Sequence, residues 1–443
     1  MPNLPNLSNL KSIPKKQIVI AAMGLVLAIV LTILIIANLR PKEGGGEATK
    51  LTAWGVLDES VFSELVGSYS AIQPGVELTY RKIDKNNYER ILINALAAGE
   101  GPDVYMIRNR WLPKETGRII PAPLELFNVA KMQELFPAVV EQDFMGSEGR
   151  VYALPLYLDT MVTLYNRELF DQASVVAPPA NWTEFRNLIP KLRVLSETGQ
   201  VVRAAAAVGG SEKTIENATD ILNLLMMQNG APMVDAERTG ANFGAGSGSE
   251  SGLTAFNFYL QFANAGSPYY TWNDNQESSL DSFVAGQTAM VFKYRSQIQE
   301  IKSRAPFLNF GVAPMLQLEG SERHTNYADY WGLAISKRTQ FPLEAWSFVV
   351  YTTTNPDIMR KYSQVTGSPP ALRALINENL ADINLGVFAR QALTARSWYQ
   401  ADEGAIREIF SRAISRVLTG QASPERALGE AQEQITLLMG GNG

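Results

Sequence analysis

The chain of 443 residues has no cysteine and only one histidine, His324. The first absence excludes disulfides, zinc–thiolate sites, thiolate nucleophiles and a lipid-bearing N-terminal cysteine. The second makes any serine–histidine–aspartate triad depend on one residue and excludes a centre with several imidazole ligands. No metal and no cofactor are predicted, and the chain is expected not to be an enzyme. A basic excess is also missing. The 39 basic residues are outnumbered by 44 acidic ones, and five of the basic ones (Lys11, Lys15, Lys16, Arg40, Lys42) crowd into the first 43 positions. The acidic remainder argues against a nucleic-acid partner. With 46% hydrophobic and only 19% charged residues, the chain is not a disordered one.

One long apolar run stands out. Ile18–Ala37 is free of charge over twenty residues, which as a helix spans roughly 30 Å, the thickness of a bilayer core. It exceeds the roughly 7–15 residues of a signal-peptide core, and no small-x-small cleavage site follows. The reading is a cytoplasmic segment 1–17, an uncleaved transmembrane anchor 18–39 and a Gly-rich linker 40–50. Lys11, Lys15 and Lys16 favour the N-terminus inside. The bulk of the chain then lies on the extracytoplasmic side.

Beyond the linker, elements alternate. Leu51–Val56 reads as a strand and Glu59–Gln73 as a helix stopped at Pro74. Val76–Ile83 reads as a second strand. Asn86 and Glu89 suggest a capping box for a helix that ends at Gly99. Its apolar set Tyr88, Ile91, Leu92, Ala95 and Leu96 has the spacing of one buried face. Asp103–Ile107 is the third strand. This β-α-β-α-β opening predicts a mostly parallel sheet in an α/β fold. Trp182–Ser196, Thr214–Asn229, Ser251–Ala265 and Leu343–Thr354 read as helices. Phe283–Phe292, Phe307–Ala313 and Tyr330–Ser336 read as strands or strand-flanking segments. A helix with the stripe Ile406, Ile409, Phe410, Ala413, Ile414, Val417 and Leu418 follows. Ser423 and Pro424 then start a last helix.

Six segments, in order, give the chain a family resemblance. They are Trp54-Gly55 at the end of the first strand, Gly99-Glu100-Gly101-Pro102-Asp103-Val104, and Tyr152-Ala153-Leu154-Pro155 with Asp159 and Leu164-Tyr165-Asn166. Pro178-Pro179 with Asn181-Trp182-Thr183-Glu184-Phe185, Phe283–Met290 and Ala345-Trp346-Ser347-Phe348 complete the set. The chain resembles the family 1 extracellular solute-binding proteins of ABC importers, the group that includes maltose-binding protein. The resemblance implies a two-lobed fold of the type II periplasmic-binding-protein kind with ligand between the lobes. It places 51–158 and 332–364 in lobe 1, and 164–325 and 373–443 in lobe 2. Hinge crossovers are implied at 159–163, 326–331 and 365–372. A carbohydrate ligand, ABC permease subunits as partners and a monomeric state follow from the same resemblance.

Sugars offer flat C–H faces and many hydroxyls, so aromatic faces and Asp, Asn and Arg near strand ends are the binding candidates. These are Trp54, Asp58, Asn109, Trp111, Tyr157, Asp159, Trp272, Tyr294, Arg295, Tyr330, Trp331 and Trp398. Arg108 and Arg110 read as solvated, and Trp182 and Trp346 as core. Two other readings remain open. The same fold could take a peptide, polyamine or phosphate ester. An anchored glycoside hydrolase would draw two carboxylates from Asp58, Asp103, Asp159 and Asp274.

Overall fold

A computed structural model of the chain describes residues 48–244 and 250–440. The predicted anchor 18–39 lies outside the described residues, among which no helix is long and apolar enough to cross a membrane.

The described chain builds two lobes, each with its own apolar core. In the first, the sheet order is Val76–Lys82, Thr49–Gly55, Val104–Arg108, Trp331–Ser336 and Ile119–Ile120, with Ala153–Pro155 also paired to Trp331–Ser336. The first three strands are parallel, and Trp331–Ser336 runs against its neighbours. Val104, Tyr105, Met106 and Ile107 are all fully buried. That uninterrupted apolar run is what a central parallel strand needs when both its faces are covered. Helices Glu59–Ser70, Tyr88–Ala98 and Pro342–Thr354 supply Phe62, Leu65, Tyr88, Leu92, Trp346 and Phe348 to this core.

The capping box predicted at Asn86 and Glu89 does not form. The helix begins at Tyr88 after Asn87, whose side chain makes no capping bond. Asp84 instead accepts from the Asn86 N–H at 3.0 Å, and Glu89 is drawn to Lys114. The other end is as predicted: Gly99 closes the helix at φ +83°, in the left-handed region that glycine enters without strain.

The second lobe centres on Val162–Asn166, flanked antiparallel by Met290–Lys293 and Phe310–Ala313. The segment predicted as strand at 283–292 is divided. Ser279–Val284 is helical, Gly286 turns at φ +72°, and the strand starts at Met290. Trp182–Leu192, Ala218–Gln228, Glu250–Leu260, Glu403–Leu418 and Pro424–Gly440 surround this sheet. Ile406, Ile409, Phe410, Ala413 and Ile414 are buried as the stripe requires. Trp182 lies in this core and Trp346 in the other.

Three short strands join the lobes: Asp159–Thr160, Asn326–Asp329 and Ala395–Arg396, with Asn326–Asp329 in the middle. Residues 365–372 are not among them. Ala371, Leu372, Leu375 and Ile376 remain in the first core, and the chain reaches the second core only at Phe388. Gly367 does make a left-handed turn, at φ +68°, but it ends helix Pro356–Thr366 rather than crossing between lobes.

Trp346 is fully buried in the first core. Replacing it with alanine removes that contact and leaves a cavity, so Trp346→Ala is expected to cost about 3–5 kcal/mol in urea unfolding.

Candidate functional site

The third strand of the first lobe ends in Arg108, and Arg108, Arg110 and Trp111 reach the second lobe. Arg110 donates through Nε and Nη2 to the Glu403 carboxylate at 3.2 and 2.7 Å, and through Nη1 to the Ala328 carbonyl at 2.8 Å. Arg108 reaches Glu403 at 2.7 Å and Asp329 at 2.5 Å. The Trp111 indole N–H donates to the other Glu403 oxygen at 3.0 Å. Glu403 is the first residue of helix Glu403–Leu418, in the second lobe. One carboxylate thus holds two guanidiniums and an indole of the opposite lobe. Arg407, one turn on, pairs with Glu403 at 3.3 Å and Glu212 at 3.6 Å. The Tyr294 hydroxyl donates to Asp220 at 2.8 Å, and Arg110 lies 5.2 Å over the Tyr327 ring.

Burial alone would raise the Glu403 carboxyl. The guanidiniums of Arg108, Arg110 and Arg407 more than reverse this and hold it far below the usual carboxylate range. Asp329 behaves alike: burial opposes its charge, and Arg108 and Arg110 win. Two other carboxyls go the opposite way. Burial pushes Asp159 up to about 7, against the backbone N–H groups of Ser296 and Arg295 that it accepts from. Burial pushes Asp143 up to about 6, against hydrogen bonds from Ser397, Asn109 and Tyr330.

Beside the ion cluster lies a cavity of about 690 Å³ with walls from both lobes. Asn109, Arg110, Gln142 and Asp143 contribute one wall; Met227, Met233, Arg238, Trp398 and Tyr399 contribute the other. This size falls within the usual range for small-molecule sites. The polar wall is held rigid: Asn109 donates to Asp143 at 2.9 Å, Tyr330 donates to Asp143 at 2.8 Å, and Gln142 donates to the Ser397 carbonyl at 2.7 Å. Trp398 is braced by Phe243 and Phe410, yet its buried Nε1 has no partner.

Of the sequence candidates, Asn109 and Trp398 line the cavity. Trp111 and Tyr294 sit buried in and beside the ion cluster. Trp54 is half-buried at the end of its strand with Arg81 stacked on it at 4.6 Å. Asp58 is exposed and paired with Lys82. Tyr157 is half-buried; burial first, and then Asp329, push its phenol far up.

Five candidates do not belong to the cleft surface. Trp272 is fully buried in the second core, its N–H bonded to Thr214 at 3.0 Å. Tyr330 and Trp331 lie in the first core, where Trp331 packs on Trp111 at 5.2 Å. Arg295 gives its backbone N–H to Asp159, but its guanidinium turns away over Phe388. Asp159 serves the crossover, accepting from three backbone N–H groups at Thr160, Arg295 and Ser296. The exposed His324 stands away from the cavity.

The carboxylates that a hydrolase would need are engaged elsewhere. Asp103 ties Thr52 to Thr339, and Asp274 caps Ser211 and Thr214. Sequence reasoning missed Arg108, Arg110, Asp143 and Glu403. Arg108 and Arg110 read as solvated because charged residues after a strand usually are. Glu403 drew no reading from the sequence. The one available signal was two arginines bracketing Asn109 directly at a strand end that should face a ligand.

Comparison with known proteins agrees with this architecture. Residues 64–381 match the family model described as bacterial extracellular solute-binding protein. A binding protein of Brucella abortus is 24% identical over 392 residues, covering 85% of this chain and 89% of that protein. A maltotriose-binding protein of Pyrococcus abyssi is 22% identical, over 72% of this chain and 65% of its own length. The solved sugar-binding protein MalE of Xanthomonas citri superposes with a TM-score of 0.72 at 20% identity, covering 88% of this chain and 97% of that one. With well over half of its length matched by the family model, the chain belongs to the bacterial extracellular solute-binding proteins.

Proposed function

We propose that the chain captures a carbohydrate between its lobes, outside the cytoplasmic membrane, and hands it to an ABC importer. The observation that carries this reading is the interlobe cavity of about 690 Å³, whose walls combine Trp398, Met227 and Met233 with the polar side chains of Asn109, Gln142 and Asp143. Asn109, Gln142 and Asp143 supply the mixed donors and acceptors that vicinal hydroxyls match. Met227 and Met233 offer deformable apolar surface for C–H faces. The ion cluster beside the site is paired within the protein, so a neutral guest leaves it intact. The maltotriose-binding relative and the sugar-binding MalE neighbour support the same ligand class.

The apolar run Ile18–Ala37 serves as a single-pass anchor in this reading, and 40–50 as a tether that leaves the lobes free to meet a permease. Guest binding favours closure only as far as it binds the closed arrangement more tightly. Glu403 acts on the same equilibrium, since its bonds to Arg108, Arg110 and Trp111 exist only when the lobes meet.

Three outcomes are expected. Maltotriose added to the full chain should change tryptophan fluorescence saturably, and Trp398→Ala should weaken binding at least about tenfold, or roughly 1.4 kcal/mol. A panel of neutral sugars that left both fluorescence and melting temperature unmoved would sink the carbohydrate reading. Glu403→Gln should leave Arg108 and Arg110 buried and short of charge. That loss is expected to cost about 3 kcal/mol and to enlarge the radius of gyration in X-ray scattering. An unchanged radius would show that the bridge does not hold the lobes.

The third outcome concerns pH. Asp159 and Asp143 keep their protons in the folded state up to about 7 and about 6, whereas unfolded they lose them near 4. The folded state therefore binds more protons across that window, and these two groups make stability fall as pH rises through it. Glu403 and Asp329, held low, contribute stability that is present above the ordinary carboxyl range and fades as pH drops below it. Melting temperature should thus decline between pH 5 and 8, and Asp159→Asn should flatten that decline.

A further inference from the structure

A second cavity, of about 460 Å³, opens on the other side of the crossover sheet and takes no part in the proposed sugar site. Its floor is apolar, with Ile298, Leu308, Phe310 and Val312 from the second lobe. Ile383 and Asn384 close it from the loop that follows Leu380, a residue packed on the first core. Three cations surround it: Arg167, Arg295 and Lys302.

None of the three has an ion-paired carboxylate among the described residues, in contrast to Arg108 and Arg110 of the cleft. Arg167 makes only a ring contact, with Tyr165. Arg295 rests on Phe388, and its Nε is buried with no acceptor. Its guanidinium lies against Gly367, so that it spans from one lobe to the other. Two acids act on Arg295, and both are engaged. Asp159 accepts from the Thr160, Arg295 and Ser296 backbone. Asp382 accepts from the Asn384 and Leu385 backbone at 2.8 and 2.7 Å. Three cations without an ion-paired carboxylate thus surround one concave space, and an anion would neutralise them.

We propose that this cavity is a second ligand site, for a small organic oxyanion bearing two or more carboxylate or phosphate charges. Arg295 would donate from its terminal nitrogens, whose planar geometry suits carboxylate and phosphate. Arg167 and Lys302, both exposed, supply charge at the rim. The apolar floor takes the carbon body. The site abuts the crossover strand through Asp159, and its walls come from both sides of the hinge.

The test is calorimetric titration of the full chain with citrate and, separately, inorganic pyrophosphate, at constant ionic strength set with sodium chloride. One saturable site per chain is expected, with a rise in melting temperature that chloride does not reproduce. Arg167→Ala with Lys302→Ala should weaken it at least tenfold, and Arg295→Gln should abolish it. The maltotriose fluorescence response should survive in the Arg167 and Lys302 double variant, which keeps a folding control within the same experiment. Absence of saturable heat with both anions, or equal binding by the double variant and the parent, would overturn the proposal. Loss of the maltotriose response alone would bear on the cleft and leave this site standing.

Discussion

The closed arrangement depends on one buried carboxylate. Glu403 begins a helix of the second lobe, and its two oxygens are divided between Arg108, Arg110, Arg407 and the Trp111 indole. Burying a carboxylate is costly, and burying two guanidiniums as well costs more. The cluster is tolerable because nearly every donor finds an acceptor: Arg110 also reaches Ala328, and both cleft arginines share Asp329. Such a network is stable only with its parts in place, which makes it sensitive to the angle between the lobes. A hydrophobic interface of equal area would lack that directional demand.

The same arrangement sets what kind of guest the cleft can take. The ion cluster lies next to the cavity and shares Arg110 with it. An anionic guest drawn to Arg110 would compete with Glu403 and Asp329 and would weaken the bridge that closure forms. A neutral guest does not compete in this way and leaves the bridge whole. Closure and capture then reinforce one another, which is what a binding protein presenting its closed shape to a permease needs.

Much of the fold was legible in the sequence, for reasons visible residue by residue. Val104–Ile107 had to be a central strand because no polar position interrupts it, and Gly99 had to end a helix because a residue there takes a positive φ. The last two helices followed from an unbroken stripe and from Ser423-Pro424. The site was far less legible. Tryptophan and tyrosine suit a core as well as a cleft, and nothing local distinguishes Trp272, sealed by Thr214, from Trp398, left with a free N–H. Asn109 and Asp143, or Arg110 and Glu403, are brought together only by the tertiary fold, across 34 and 293 residues. The third crossover was misplaced because Gly367-Ser368-Pro369-Pro370 reads as a stiff turn, and a turn does not reveal whether the chain changes lobes.

The crossover sheet shows how the lobes are steered. Asp159 and Asp329 stand opposite each other in register on antiparallel strands, an arrangement that would repel if both were bare. They are held in different ways. Asp159, where the chain enters the second lobe, accepts from the backbone at the start of helix Arg295–Arg304 in that lobe. Asp329, where the chain returns to the first lobe, is paired with Arg108 and Arg110 of that lobe. Each strand is therefore gripped by the lobe it is entering, and the two acids are screened by partners on opposite bodies.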